Sequence, residues 1–249
     1  MAFDAGAGRS DRQGLAMDIA FIAQIFPKLL AGLPLTLLLA VLALLGGGLI
    51  ALGLSGLRAS SWIGARVADF YVYIFRGTPL LIQIFLIYYG LAQFPAVRHS
   101  PFWPLLREPY VCAVLALMLN DAAYTSEILR GGLRAVSTGA IEAARVSGMT
   151  RPTMLRRIIL PLAFRQALPA YGAEITSMVK ATSLASVVTL MEITGIARAE
   201  VSETYRAIEI FLCAAVIYLV LVTVIARAVD WLEQHLSPYR RPTGARSLA

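Results

Sequence analysis

The sequence LLAGLPLTLLLAVLALLGGGLIALGLSGL, residues 29–57, decides the fold because it contains no charged side chain. A bilayer core about 30 Å thick is crossed by a helix of about 20 mostly apolar residues. The run exceeds that length, and it is far longer than the apolar core of a cleaved signal peptide, which has about 7–15 residues. Asp4, Asp11 and Asp18 also precede it, where a signal peptide would carry basic residues. We therefore predict an uncleaved membrane-spanning helix.

Four further segments have the composition of membrane spans. Residues 77–97 and 210–226 are uncharged, and residues 110–126 contain a single charge, Asp121. Residues 161–179 form a weaker candidate, because they carry Arg165 and Glu174. Residues 182–195 are apolar but rich in Ser and Thr, and they are too short to cross alone, so they form either the end of the preceding span or a membrane-embedded turn. The pattern predicts an all-α polytopic protein with about five transmembrane helices.

The composition of the whole chain agrees with this class. Of 249 residues, 58% are hydrophobic and 15% are charged, whereas a soluble domain has about 25% charged residues. The mean hydropathy is +0.71. These values exclude a disordered chain and a basic nucleic-acid-binding domain, and they argue against a soluble enzyme.

The net charge of +7 bears on orientation, because Lys and Arg favour the cytoplasmic side. With five spans and the N-terminus outside, thirteen Lys and Arg residues fall in inside segments and seven in outside segments. The first inside loop contains Arg58, Arg66 and Arg76. We therefore predict an N-terminus on the outer side of the membrane and a cytoplasmic C-terminus.

The sequence lacks the residue patterns of an enzyme. It contains no G-x-x-x-x-G-K-[ST] phosphate-binding loop. His99 and His235 are isolated, and Cys112 and Cys213 lie in apolar runs, so we predict no catalytic group, metal site or disulfide. A polytopic membrane protein of this kind is most simply a permeation pathway.

The longest segment predicted to be cytoplasmic reads GAIEAARVSGMTRPTMLRRIILPLAF, residues 139–164. Good helix formers surround Glu142. Gly148 follows where a left-handed residue ends a helix, and Pro152 stands near the start of the next one. Two short helices joined at a glycine would protrude from the membrane. The alternative is a helix pair that lies on the headgroups with its arginines against anionic lipid.

This segment carries a resemblance to a known family. Its pattern E-A-A, three residues, G, nine residues, I-x-L-P resembles the signature of the permeases of ATP-binding-cassette (ABC) importers. The matching residues are Glu142, Ala143, Ala144, Gly148, Ile158, Leu160 and Pro161. RGTPLLIQIFLIYYG at 76–90, residues 115–136 and ALPAYGAEI at 167–175 are similar to the polar amino-acid branch. LNDAAYTSEI and IARAEVSETY are most similar to histidine/lysine/arginine/ornithine permeases and to the octopine and nopaline permeases.

The resemblance implies a type I ABC importer permease fold over residues 26–236, with a coupling loop at about 139–160. The protein would lie in a bacterial inner membrane, with residues 1–25 as a periplasmic tail and residues 237–249 as a cytoplasmic one. The loop would dock on a dimer of separate ATPase subunits, which bind the ATP, so this chain would hold no cofactor. The other partners implied are a second permease, identical or paralogous, a periplasmic amino-acid-binding protein and membrane lipid. No nucleic acid is expected.

Three carboxylates are candidates for the substrate pathway: Asp121, Glu174 and Glu192. Ionisable residues inside a membrane span are functional candidates by default. Each also has a structural alternative, as a hydrogen-bonding partner between helices or as the partner of an arginine in a second subunit. Glu127, by contrast, is predicted to pair with Arg130 three residues later.

The sequence therefore predicts the permease subunit of an ATP-driven importer for polar amino acids, basic ones or opines in particular, delivered by a periplasmic binding protein. The first alternative is a secondary transporter or channel that uses Asp121 or Glu174 as an ion relay, with uptake that survives removal of the ATPase. The second is a structural membrane anchor, in which changing Glu174 leaves transport unaffected.

Overall fold

The computed structural model describes residues 19–236. The cytoplasmic tail predicted at 237–249 lies outside the described residues, as does most of the periplasmic tail predicted at 1–25. The described part of that tail, residues 19–25, belongs to the first helix rather than to an extension of the chain.

The described residues form twelve α-helices and contain no β-strand. They are α1 (Ile19–Leu30), α2 (Leu33–Ser60), α3 (Trp62–Gly77), α4 (Leu80–Phe85), α5 (Pro95–Arg98), α6 (Trp103–Leu106), α7 (Pro109–Arg134), α8 (Thr138–Val146), α9 (Arg151–Met154), α10 (Leu160–Ala181), α11 (Ile193–Thr204) and α12 (Ala207–Leu236). Two π-helical segments, Leu86–Gly90 and Leu155–Ile159, and one 3₁₀ segment, Thr182–Val188, continue α4, α9 and α10.

Three stretches of helix are long and apolar enough to cross a membrane: Ile19–Ser60, Pro109–Arg134 and Ala207–His235. They contain the spans predicted at 29–57, 110–126 and 210–226, and each extends beyond the prediction. The number of spans rises to five if each of two bent helix pairs counts as one crossing. The predicted all-α polytopic class is therefore confirmed.

The span predicted at 77–97 is wrong in its boundaries. The bent pair begins at Trp62, in the segment predicted to be a cytoplasmic loop, and its second half ends at Gly90. Its two halves, Trp62–Gly77 and Leu80–Gly90, meet at 103°. Arg66 and Arg76 therefore lie within a helix rather than in a loop.

Hydropathy misses α3 because the helix carries Arg66, Asp69 and Arg76, and a hydropathy average does not account for the partners of these side chains. Asp69 lies 2.8 Å from the Arg58 guanidinium of α2. The Arg66 guanidinium carbon lies 5.9 Å from the centre of the Trp62 ring, one turn before it. Such partners reduce the cost of charge in an apolar environment.

The centre of the fold is the packing of α2 against α7. Leu39 and Ala43 of α2 share one buried cluster with Ala113 and Ala116 of α7. Small side chains let membrane helices approach closely. The approach is tightest at Gly47, where an added Cβ would lie 2.7 Å from the Cβ and 2.9 Å from the Cγ of Asp121.

We expect Gly47→Val to destabilise the protein, because the new side chain collides with Asp121. Overpacking of this kind costs about 1–3 kcal/mol. Gly48→Val is the matched control, since a Cβ at Gly48 meets no atom within 4 Å. Thermal unfolding of the purified variants in detergent should show a lower midpoint for Gly47→Val alone. Equal midpoints for the two variants would contradict this account of the packing.

Residues 182–195 form an interrupted helix rather than a plain continuation of α10. After Thr182–Val188 the chain bends at Thr189, which has a left-handed φ of 68°, and α11 begins at Ile193. The second bent pair, Arg151–Val188 and Ile193–Thr204, meets at 46° and contains the span predicted at 161–179. The result contains both predicted features, a helix end and a turn. Lys28 pairs with Glu200 at 2.8 Å and ties α1 to α11.

Candidate coupling loop and transport pathway

The loop at 139–164 folds as two short helices joined at a glycine, as predicted. Gly148 has a φ of +74°. Its N–H donates to the carbonyl of Arg145 at 3.0 Å, and the N–H of Met149 donates to that of Ala144 at 3.2 Å. This pair of bonds is a Schellman motif, which ends a helix at a left-handed residue. The loop direction after α8 therefore depends on Gly148.

The exposed side of α8 contains Glu142, Ala143 and Val146, whereas Ala144 is buried. Val146 is 90% exposed although it is apolar. With Glu142 and Ala143, it forms a side of α8 whose side chains are exposed within the described residues. The first part of the motif thus lies on a surface that a partner could reach.

The second part of the motif shapes the joint between α9 and α10. Pro161 has no N–H, so it cannot donate to the carbonyl of Arg157 one turn earlier. The helix adapts in the π-helical segment Leu155–Ile159, where the N–H of Leu160 donates to the carbonyl of Leu155. Ile158 lies half-buried in this segment, and Leu160 is 49% exposed. The proline therefore sets how the loop joins the long helix.

Among the pathway candidates, Asp121 is completely buried near the middle of α7. Thr125 donates its hydroxyl to the Asp121 carboxylate at 3.2 Å, from one turn further along the helix. Gly47 of α2 closes off the opposite side. This environment fits an interhelical contact better than a surface open to substrate.

Glu174, half-buried on α10, lies in an electrostatic cluster with residues of other helices. It interacts with Asp121 of α7 and with Arg76, next to the last residue of α3. The Arg76 guanidinium carbon lies 5.1 Å from the centre of the Tyr124 ring, a cation–π contact. Neither Glu174 nor Arg76 forms a salt bridge with any residue in 19–236.

A cavity of about 320 Å³ opens beside this cluster. It is lined by Arg76, Tyr124, Glu127, Gln166 and Ala170, among others. Ala170 precedes Glu174 by one helical turn on α10. Sequence reasoning missed Arg76 as a site residue, because the charges before Gly77 indicate a loop. The signal that could have found it is a single arginine three residues before a helix-breaking proline, Pro79.

Glu192 lies elsewhere and acts as the N-cap of α11. Its carboxylate is completely buried and accepts hydrogen bonds from the N–H groups of Thr194 at 2.9 Å and Gly195 at 2.8 Å. The hydroxyl of Tyr218 on α12 donates to it at 2.8 Å. These bonds stabilise the helix start and join two helices. The structure thus brings Asp121 and Glu174 together and separates Glu192 from them.

The predicted pair of Glu127 with Arg130 is confirmed as a salt bridge. Arg58 extends it, because its guanidinium lies 2.8 Å from Glu127 and 2.8 Å from Asp69. The network joins the ends of α2 and α7 to the middle of α3. Its role is therefore to hold three helices together.

The fold and the two-helix loop fit the membrane subunit of an importer. The model of the family described as "Binding-protein-dependent transport system inner membrane component" matches residues 43–238. The chain belongs to this family.

Two of the relatives found are permeases for an opine and for an amino acid. The octopine transport system permease protein OccM of Rhizobium radiobacter is 54% identical over 228 residues, which cover 91% of this chain and 93% of that protein. The arginine ABC transporter permease protein ArtM of Haemophilus influenzae is 38% identical over 212 residues, which cover 84% and 92%. The resemblance to amino-acid and opine permeases is confirmed, and the comparisons give no support to an ion-driven transporter.

A solved structure shows the same arrangement of helices. The crystal structure of an amino acid ABC transporter with histidines matches with a TM-score of 0.79 at 35% sequence identity. The match covers 89% of this chain and 100% of that one. The predicted type I permease fold is therefore confirmed.

Proposed function

We propose that this chain is the permease subunit of an ATP-driven importer for arginine and its opine derivatives. The observation that carries the proposal is the cavity between α7 and α10, whose lining includes Arg76 and Ala170, the latter one helical turn before Glu174. Neither Arg76 nor Glu174 forms a salt bridge within residues 19–236. A cation and an anion that interact electrostatically without a salt bridge suit a ligand that carries both charges. Relatives that transport octopine and arginine support the substrate class.

Arginine and octopine share two features that these side chains can bind. Both carry a guanidinium group and an α-carboxylate. Glu174 would accept hydrogen bonds from the guanidinium, and Arg76 would bind the carboxylate, since charge-assisted bonds of this kind are strong and directional. Tyr124, on whose ring Arg76 stacks, would hold the side chain of Arg76 at the cavity. Asp121, which interacts electrostatically with Glu174, would add negative charge to the site without touching the substrate.

The coupling loop would transmit the work of ATP hydrolysis. We propose that α8 docks in a groove of an ATPase subunit through Glu142, Ala143 and the exposed Val146. Gly148 would set the angle of α8. The segment with Ile158, Leu160 and Pro161 would carry its movement into α10, because the helix runs on from there without a loop.

The assembled transporter would contain two permease subunits, identical or paralogous, and two ATPase subunits. A periplasmic binding protein would deliver the substrate to the outer side. ATP-driven closure of the ATPases would then move the permease pair between inward-open and outward-open states. The chain itself would bind no nucleotide, because the sequence contains no phosphate-binding loop.

Reconstitution tests this function directly. Proteoliposomes that contain the permeases and the ATPase should take up radiolabelled L-arginine only when ATP and the binding protein are both present. Uptake should be insensitive to ionophores. Uptake that persists without ATP and collapses with the ion gradient would support the secondary-transporter alternative and overturn the proposal.

The orientation of the chain is a separate prediction. The charge distribution favours an N-terminus outside and a C-terminus inside. A reporter fused after Ala249 should therefore be cytoplasmic, and one inserted within residues 97–108 should be periplasmic. An alkaline phosphatase and fluorescent protein fusion at each site provides matched readouts. Both sites on the same side of the membrane would contradict the five-span topology.

A further inference from the structure

The break between α3 and α4 leaves carbonyl groups without their usual helical partners, and that of Phe75 is one of them. In an α-helix the carbonyl of Phe75 would accept a hydrogen bond from the N–H of residue 79. Residue 79 is Pro79, which has no N–H. Thr78 and Pro79 are both extended, so α3 ends at this point. A carbonyl left unpaired in an apolar environment costs several kcal/mol.

Two side-chain amides donate hydrogen bonds to this carbonyl. The Nε2 of Gln83, from α4, lies 2.9 Å from the carbonyl oxygen of Phe75 and 2.8 Å from the hydroxyl of Thr78. The Nδ2 of Asn120, from α7, lies 3.3 Å from the same carbonyl and 3.1 Å from the Oε1 of Gln83. Gln83 is only 6% exposed and Asn120 only 8%. The helix break is therefore closed by a buried network that joins three helices.

The same network fixes the register of α3 against α7. Arg76 directly follows the held carbonyl of Phe75. Tyr124, on which Arg76 stacks, follows Asn120 by one turn and lies on the same face of α7. One turn earlier on α3, the hydroxyl of Tyr71 donates to the carbonyl of Leu119 at 2.7 Å. The backbone next to Arg76 is thus held against α7 by the hydrogen bonds at Phe75 and, one turn earlier, at Tyr71.

We propose that Gln83 and Asn120 are positioning residues of the substrate site. They hold the helix break in the geometry that aims Arg76 across Tyr124 toward the cavity. The inference rests on the proposed function, in which Arg76 binds the α-carboxylate of the substrate. Neither amide touches the substrate, so their effect on binding passes through Arg76.

A ligand pair separates this role from simple stabilisation. L-Argininamide keeps the guanidinium and the α-amine of L-arginine but lacks the carboxylate. We would measure the affinity of both for the assembled transporter in nanodiscs without binding protein, for native protein, Gln83→Met and Arg76→Gln. Gln83→Met keeps the side-chain length and removes the amide. Ser126→Ala is the control, because Ser126 is a buried residue of α7 that bonds only within its own helix.

We expect Arg76→Gln to weaken the binding of L-arginine about tenfold, because one charge-assisted hydrogen bond is lost. Gln83→Met should weaken it about threefold to tenfold, since it displaces rather than removes that bond. Both should leave L-argininamide unchanged, and so should Ser126→Ala for both ligands. Added to Arg76→Gln, Gln83→Met should have no further effect on L-arginine, because the two changes remove the same interaction.

Each other pattern overturns the inference in a distinct way. If Arg76→Gln acts selectively on L-arginine and Gln83→Met does not, the positioning role is wrong while the substrate assignment stands. If neither is selective, the assignment of Arg76 is wrong and the positioning role with it. Equal weakening of both ligands by Gln83→Met shows a structural role only. Should Gln83→Met fail to assemble, Asn120→Ser removes one of the two donors to Phe75 and must show the same selectivity.

Discussion

Gly148→Val is expected to reduce uptake severely while the protein still inserts and is recovered in normal amounts. Gly148 has a φ of +74°, a conformation that costs a residue with a side chain about 1–2 kcal/mol. Valine would shift the chain out of this conformation and break the two bonds that end α8. Because α8 is the element proposed to dock on the ATPase, a change in its direction uncouples the subunits. We expect uptake to fall at least about fivefold, the lower end of that strain.

Two variants control for the added bulk. A Cβ at Gly148 meets no atom within 4 Å, and the same is true at Gly139 in the first turn of α8. Gly139→Val should keep uptake, because Gly139 does not have a positive φ. Gly148→Asn should keep most of it, since asparagine tolerates the left-handed region. Normal uptake and normal ATPase stimulation in Gly148→Val would show that the loop does not couple in this way.

Glu174→Gln is expected to lower the affinity for L-arginine about tenfold and to leave the affinity for L-citrulline nearly unchanged. The two ligands differ at the end of the side chain, which is a guanidinium in arginine and a neutral urea in citrulline. A carboxylate distinguishes them through charge-assisted hydrogen bonds, and a neutral amide does not. Binding to the assembled transporter in nanodiscs, normalised to purified complex, measures this ratio without selection by the binding protein.

The second buried carboxylate serves as the control. Glu192→Gln alters a helix cap that is bonded to Thr194, Gly195 and Tyr218. It should reduce the yield of complex and leave the ratio of the affinities for L-arginine and L-citrulline at the native value. If Glu174→Gln behaves in the same way, with equal losses for both ligands, Glu174 is a structural partner and does not belong to the binding site.

The sequence predicted those parts of the protein that depend on local patterns. Three spans followed from the length of their apolar runs, of which two are uncharged and one contains only Asp121, since the bilayer fixes how many apolar residues a helix needs. The two-helix loop with a left-handed Gly148 followed from the positions of glycine and proline, whose backbone preferences do not depend on distant residues. Family membership followed from the motif that this loop contains.

The tertiary structure decided which charges lie inside the fold and what each one does. Hydropathy did not predict α3 as part of a span because of its charges. In the structure, Asp69 forms a salt bridge with Arg58 of α2, and Arg76 stacks on Tyr124 of α7. In the same way Glu174 and Glu192 looked alike in sequence, and only packing made Glu192 a helix cap and placed Glu174 one helical turn from Ala170, which lines a cavity. The free energy of a buried charge depends on partners that are distant along the chain. A local pattern therefore shows that a charge is present, and only the arrangement of the helices determines its role.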